Sequence, residues 1–360
     1  MQDPYNVDSS KRAIMQEQSG QQNHSFEFTG KGWEYFRIWI VNLLLTILTL
    51  GIYSAWAKVR RLQYFYRNTR LVGGSFDFHG TPKAILKGRI IGFGLLFAYN
   101  AAFEFNPILG LVIGLILGLF MPWLLMRSLQ FKLYNSSYRG LRFGFTGSKG
   151  GAYDAFLKYP MLAGLTLYLA APLAHQRIKK YQFDNSRFGS TAFKLNATAQ
   201  GFYLLYLSAL AVMAGMLLLI PVLAMLPGSG TGMQALITGF SVAAPFIVLM
   251  MVASILVVAS LFGAYMQNMV WGSTELGEHR FFSHVSARRL LWVTVSNFVG
   301  VVLTLGLFMP FAAVRMARLR LESMGLSVSG DLSGFVADQQ QQATAAGEEA
   351  AEIFDVDISF

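Results

Sequence analysis

The stretch Thr49-Leu50-Gly51-Ile52-Tyr53-Ser54-Ala55-Trp56-Ala57-Lys58-Val59-Arg60-Arg61 carries an apolar run into a small-residue break and out again as a basic helix. The same grammar returns around Arg127, Arg177 and Arg315. Nine residues before the four arginines stand Gly51, Gly118, Tyr168 and Gly306, and five before them Ala55, Pro122, Pro172 and Pro310. Eight after come Asn68, Asn135, Asn185 and Ser323, and eight further Phe76, Phe143, Phe193 and Asp331. Three copies therefore agree from the break to the Phe, and the fourth only as far as its basic helix.

A second signal punctuates the same units: Phe26-Glu27-Phe28-Thr29-Gly30, Phe76-Asp77-Phe78-His79-Gly80 and Phe143-Gly144-Phe145-Thr146-Gly147. Alternating aromatic and polar residues have the strand period, and the trailing Gly suits a turn. These signals divide the chain into units near residues 26–75, 76–142, 143–195 and 281–335, with extra apolar spans over 202–266. Internal repetition of this kind is read before other features, because it sets the supersecondary unit.

Composition supplies the solvent. Hydrophobic residues make up 54% of the 360, charged residues only 13%, and the mean hydropathy is +0.44. That is an integral membrane composition. The apolar runs are Ile38 to Ala57, Ile90 to Phe103, Ile108 to Met126, Met161 to Ala174, Phe202 to Leu226, Ala235 to Met266 and Leu290 to Val314. Lipid cannot satisfy an open sheet edge, so these runs are expected to be helices. The expected fold is an all-α membrane protein of about seven membrane segments, built from four degenerate repeats, with short Phe-x-Phe strands on the cytoplasmic side. Residues 1–25 and the acidic stretch 336–360 read as disordered tails. No hydrophobic leader is expected near the start, where Lys11 and Arg12 stand.

Basic residues flank both ends of several runs, so topology has two solutions. If every run crosses, some basic clusters face outside. If the apolar part of a unit dips in and returns at its Gly or Pro break, all of them stay inside. The second unit has an additional run ending in Glu104-Phe105-Asn106-Pro107, which looks like a reset of direction and favours crossing helices. The uncharged connector Pro227 to Gln234 is expected outside.

Candidate functional residues are few. Asn42 and Asn297 each lie nine residues before a break glycine and place an amide at membrane depth, where it needs a partner. Arg60, Arg127, Arg177 and Arg315 begin the basic helices and suit anionic lipid at the cytoplasmic leaflet, in keeping with a net charge of +10. Gly51, Gly118, Gly306, Pro122, Pro172, Pro310, Asn68, Asn135 and Asn185 read as structural positions of the unit. Cysteine is absent and the five histidines are scattered, so neither metal nor other cofactor is expected. Nucleic acid is not expected either, since the cations sit at the ends of apolar runs. No catalytic motif stands out, and the protein is not expected to be an enzyme. A transporter or channel for a small solute fits broken helices around polar positions. The alternative is a membrane scaffold or lipid-associated module with a basic cytoplasmic face.

The Phe-x-Phe-Thr-Gly segment, the run Thr49-Leu50-Gly51-Ile52-Tyr53 with Trp56-Ala57-Lys58 and Arg60, and the Tyr, Asn and Gly residues that follow resemble the YjgN family of bacterial inner-membrane proteins. The resemblance covers roughly residues 25–335. It implies a multi-pass location in the inner membrane and supplies no substrate, cofactor or catalytic residue.

Overall fold

Two-residue turns decide the first layer of structure. In the computed structural model, which describes residues 21–218, 232–330 and 334–341, eleven strands form. They are β1 (Gln21–Ser25), β2 (Glu27–Phe28), β3 (Thr69–Leu71), β4 (Gly74–Phe78), β5 (Ser136–Tyr138), β6 (Leu141–Phe145), β7 (Ser186–Phe188), β8 (Thr191–Leu195), β9 (Thr274–Leu276), β10 (His279–Ser283) and β11 (Met324–Ser329). Val72-Gly73 and Arg139-Gly140 turn with both φ values positive, and Gly189-Ser190 and Gly277-Glu278 with the glycine positive. These tight turns match the twist of the strands they join.

The sheet order is β1-β11-β10-β9-β8-β7-β6-β5-β4-β3-β2, antiparallel throughout. Only Phe26 separates β1 from β2, so the order returns on itself. The sheet is a barrel whose ends are joined by the chain.

This corrects the expectation of an all-α protein with a few short strands. The Phe-x-Phe strands do not pair with one another, because β3, β5, β7 and β9 stand between them. Those intervening strands are three residues long, too short for alternation to declare itself in the sequence. A further hairpin, β9 and β10, falls in a stretch assigned to no strand.

The helices are α1 (Gly32–Leu48), α2 (Ser54–Arg67), α3 (Pro82–Phe105), α4 (Pro107–Tyr134), α5 (Lys149–Tyr153), α6 (Tyr159–Leu165), α7 (Ala171–Asp184), α8 (Ala199–Leu217), α9 (Met233–Gly272), α10 (Ala287–Leu303) and α11 (Met309–Glu322), with a π-helical turn at Asp154–Lys158 between α5 and α6. Three pairs are hairpins that turn sharply: α1 with α2, α6 with α7, and α10 with α11. Each turn begins with a threonine whose Oγ1 accepts from the residue that caps the start of the next helix: Tyr53 N–H to Thr49 (2.9 Å), Ala170 N–H to Thr166 (3.1 Å) and Phe308 N–H to Thr304 (2.9 Å). Two consecutive left-handed residues follow, Leu50-Gly51, Leu167-Tyr168 and Leu305-Gly306. The hairpin is then closed by Gly51 N–H to Thr46 O (2.8 Å), Tyr168 N–H to Ala163 O (2.7 Å) and Gly306 N–H to Val301 O (2.8 Å).

Among the described residues three helices, not seven, are long and apolar enough to cross a membrane: Pro107–Tyr134, Ala199–Leu217 and Ile237–Gly272. By contrast the 17 residues of α1 and the 14 of α2 span about 26 and 21 Å, short of a hydrocarbon core of about 30 Å. Their shared tip is bare, with Leu50 and the matching Leu305 both 95% exposed. Gly118 is not a break: α4 runs through it without interruption and carries the buried Pro122 inside it. At the position where the three turns have Thr, eleven residues before the arginine, this unit has Ile116, which cannot bond the next turn.

Residues 21–25, expected in a disordered tail, pair with β11. Residues 334–341 are helical. The remainder of both expected tails and most of the connector 227–234 lie outside the described residues.

Candidate functional site

The helices seat the barrel directly beneath them. Asn68, Asn135 and Asn185 follow the last residues of α2, α4 and α7, and each Nδ2 donates to the carbonyl four residues back, Tyr64 (2.8 Å), Phe131 (2.7 Å) and Tyr181 (2.8 Å). Their own carbonyls accept from the neighbouring strand's exit: Thr29 N–H to Asn68 (2.9 Å), His79 N–H to Asn135 (2.7 Å) and Thr146 N–H to Asn185 (2.9 Å). Asn196 N–H to Ser273 O and His284 N–H to Ser323 O, both 2.8 Å, complete the circle. Five helix ends are thus bonded to five strand ends.

The barrel interior is aromatic. Phe26, Phe76, Phe143, Phe193 and Phe281 follow one another around the wall with successive ring centroids 6.0, 6.4, 6.4 and 6.0 Å apart. Leu71, Tyr138, Phe188, Leu276 and Leu326 form a second buried layer. The two layers surround a cavity of about 460 Å³, with Lys132, Thr69 and Ser136 at its helix side. Sequence reading found the first layer in part and missed the second. Its signal was present: a large apolar residue lies three positions after each of Asn68, Asn135, Asn185, Ser273 and Ser323.

The end of the barrel remote from the helices is closed by residues 334–341. Val336 is buried, and the Phe335 ring meets His279 edge-on at 4.6 Å and lies 6.3 Å from Phe188. Gln339 Oε1 accepts from Ser190 N–H and Oγ–H, both 2.8 Å, and Gln340 donates to Arg139 O at 2.9 Å. His279 Nδ1 accepts from Ser329 N–H (3.2 Å), and burial holds the imidazole below its ordinary range against the opposing pull of Glu278. The Tyr138 hydroxyl donates to Leu71 O at 2.7 Å, and burial raises its phenol although Arg139 opposes it. Tyr181, whose hydroxyl donates to Ser148 O (2.9 Å), is pushed up to about 12 by burial. On the outer wall Asp77 is partly desolvated, which would raise it, but its bond to Arg67 at 2.8 Å prevails and holds it below the usual carboxylate value.

The residues singled out in the sequence are not gathered in one place. Each of the four arginines singled out lies over an aromatic ring: Arg60 over Tyr53 (5.7 Å), Arg127 over Trp123 (5.7 Å), Arg177 over Tyr159 (5.3 Å) and Arg315 over Phe308 (6.0 Å). Arg127 also donates to Gln130, and Arg315 to Asn297 Oδ1 (2.8 Å) and Ser296 (3.0 Å). Asn297, 7% exposed, further donates to Ala312 O (3.3 Å), binding α10 to α11. Asn42, 6% exposed, instead lines a cleft between α1, α2, α3 and α11 to which Asn297 does not contribute. Pro172 and Pro310 start α7 and α11 and are buried. Among the described residues no three His, Asp or Glu side chains converge on a metal position.

Fold and site together define a β-barrel with an apolar interior, carried on long apolar helices and on helical hairpins with bare hydrophobic tips. The chain belongs to the family described as "Bacterial protein of unknown function (DUF898)", whose model matches residues 23–353. Among curated relatives, the "Inner membrane protein YjgN" of Salmonella typhimurium is 34% identical over 148 residues, 41% of this chain and 38% of that protein. The proteins of the same name from Escherichia coli O157:H7 and Escherichia coli K12 are 30% identical over 158 residues and 31% over 144 residues. They are matched over 42% and 40% of this chain, so the chain spans about two fifths of these relatives, 40% and 36% of their lengths. No solved structure matches the chain.

Proposed function

We propose that this is an inner-membrane protein that receives an apolar chain, of the acyl or isoprenoid class, inside a barrel held against the basic face of the membrane. The observation that carries this reading is the cavity of about 460 Å³ between two aromatic and aliphatic layers. Its size and lining are those of a small-molecule site for a hydrophobic ligand. The location follows the relatives' printed name and the three apolar helices. In this reading α4, α8 and α9 pass through the bilayer, α3, which is 24 residues long but carries Lys83, Lys87 and Arg89 at its start, runs beside α4 as its return partner, the three short hairpins enter and return, and the five hairpin-bearing units are repeats of one ancestor. The basic helix starts then lie together at the anionic leaflet. Solute transport finds less support, because Asn42 and Asn297 do not share a cavity and α4 is unbroken.

Binding of cis-parinaric acid, a fluorescent fatty acid, to the purified full-length chain tests the reading. A single saturable site is expected, and Leu276→Trp, which fills the cavity, is expected to weaken it about tenfold, since an apolar chain then loses most of its burial. Absence of binding, or binding indifferent to that substitution in a folded variant, would overturn it.

A further inference from the structure

A second site lies outside the barrel, in the cleft of about 660 Å³ where Asn42 of α1, Ser54, Lys58 and Arg61 of α2, Arg89 of α3 and Pro310 of α11 converge. Three cations line it and no carboxylate does. None of the three forms an ion pair among the described residues; Arg89 Nη1 donates to Ser54 Oγ, whose hydroxyl is itself turned to Gly51 O (2.5 Å). Lys58 and Arg61 are exposed and Arg89 half-buried, so the cleft offers an anion three cations for which no carboxylate in its lining competes.

Asn42 is the independent sign of a ligand. Asn42 lines the cleft, is 6% exposed, and its buried Oδ1 has no hydrogen-bond partner. A buried amide oxygen without a donor costs free energy that a ligand hydroxyl or ammonium would recover. The remaining wall is apolar: Leu43 and Met309 line the cleft and are exposed, and the bare residues Leu44 and Ile47 continue toward the hairpin tip. Polar floor and apolar wall meet at one level of the hairpin.

We infer that this cleft binds a phosphate-bearing ligand, the phosphate held by Lys58, Arg61 and Arg89 and a neighbouring hydroxyl or ammonium by Asn42. Guanidinium groups suit phosphate oxygens because they present paired donors in one plane. A phospholipid headgroup and a free phosphate ester share this chemistry, and the apolar wall favours the lipid. The inference does not depend on what the barrel holds.

The test is a calorimetric titration of the full-length protein in detergent with dihexanoyl phosphatidylglycerol, and separately with inorganic phosphate. One saturable phosphatidylglycerol site is expected. The triple variant K58Q/R61Q/R89Q should weaken it about tenfold or more, Asn42→Ala about threefold, and the charge-matched R70Q/R142Q/R187Q on the barrel strands less than about twofold. If the first triple fails to fold, Arg89→Gln alone must weaken binding about threefold. Phosphatidylglycerol binding that inorganic phosphate does not displace identifies the lipid headgroup; displacement with the same residue dependence identifies a soluble phosphate. Binding of neither probe, or equal binding by the two triple variants, would overturn the inference.

Discussion

At the residue scale, the glycine that ends each Phe-x-Phe segment teaches the most. Read in sequence, it suits a turn. In the structure none of Gly30, Gly80 and Gly147 has a positive φ; each lies under the ring two residues earlier. A Cβ on Gly147 would stand 2.5 Å from the Phe145 ring and 2.6 Å from the Tyr181 hydroxyl, and one on Gly80 2.5 Å from Phe78. The requirement is close approach, which no local pattern reveals. Gly147→Ala should therefore destabilise by about 1 to 3 kcal/mol, the usual cost of overpacking. Gly88→Ala in α3, where nothing lies within 4 Å, should be neutral or stabilise by up to about 1 kcal/mol. Thermal unfolding in detergent distinguishes them, and equal shifts would refute the explanation. The break glycines were legible for the expected reason: Gly51 and Gly306 have φ of +92° and +96°. Tyr168 holds the same region at +66° and shows that position, not residue type, defines the turn.

At the scale of elements, the hairpins were half legible. The break motif located all three turns, but the discriminating residue is the threonine whose hydroxyl bonds the next helix, and the expectation of a fourth break at Gly118 ignored it. The helix over 334–341 was hidden, because a Gln-rich stretch has no apolar periodicity and only Phe335 and Val336 dock. Its seat contains a titratable group. His279, packed between Ser329 and Phe335 with Glu278 as the nearby charge, accepts through Nδ1 and so is neutral. Its folded pKa lies below the unfolded value, so the stabilisation is complete above about pH 6.5 and is lost as pH falls through the lower folded value. A spin label at Gln341 should accordingly gain mobility on acidification below about pH 6.5, and His279→Gln, which stays uncharged, should abolish the change. The same pH response in both proteins would exclude the histidine.

For the whole molecule, composition pointed to the membrane, and the break and Phe-x-Phe motifs to three helical turns and to strands β2, β4, β6 and β8, but closure was not visible. The fourth copy of the motif seemed to lose its Phe, with Asp331 in its place. Its second strand is instead supplied by residues 21–28, so the matching residue is Phe26, far away in sequence. A reader moving forward along the chain has no local signal for this. One barrel places all its hairpins on one side of the bilayer, whereas seven crossings would alternate them. The chain contains no cysteine, so single cysteines at Arg70, Arg142, Arg187 and Arg280, all exposed on the barrel, can be labelled with a membrane-impermeant maleimide in spheroplasts. All four should react only after permeabilisation; reaction of some but not others beforehand would refute the arrangement.

The bond from Ser327 to Asn23 joins residues 304 positions apart. At a synthesis rate of about 5 to 20 residues per second, the first strand emerges about 15 to 60 s before its partner exists. During that interval β2 can already pair with β3 and Phe28 can stack on Phe65, but β1 has no partner strand, so only one side of the segment 21–28 is covered. Each earlier hairpin can form as it leaves the ribosome; the ring cannot. Assembly therefore ends with a single late event at the first-made strand, and a chain stalled before residue 324 leaves an open sheet edge beside the membrane.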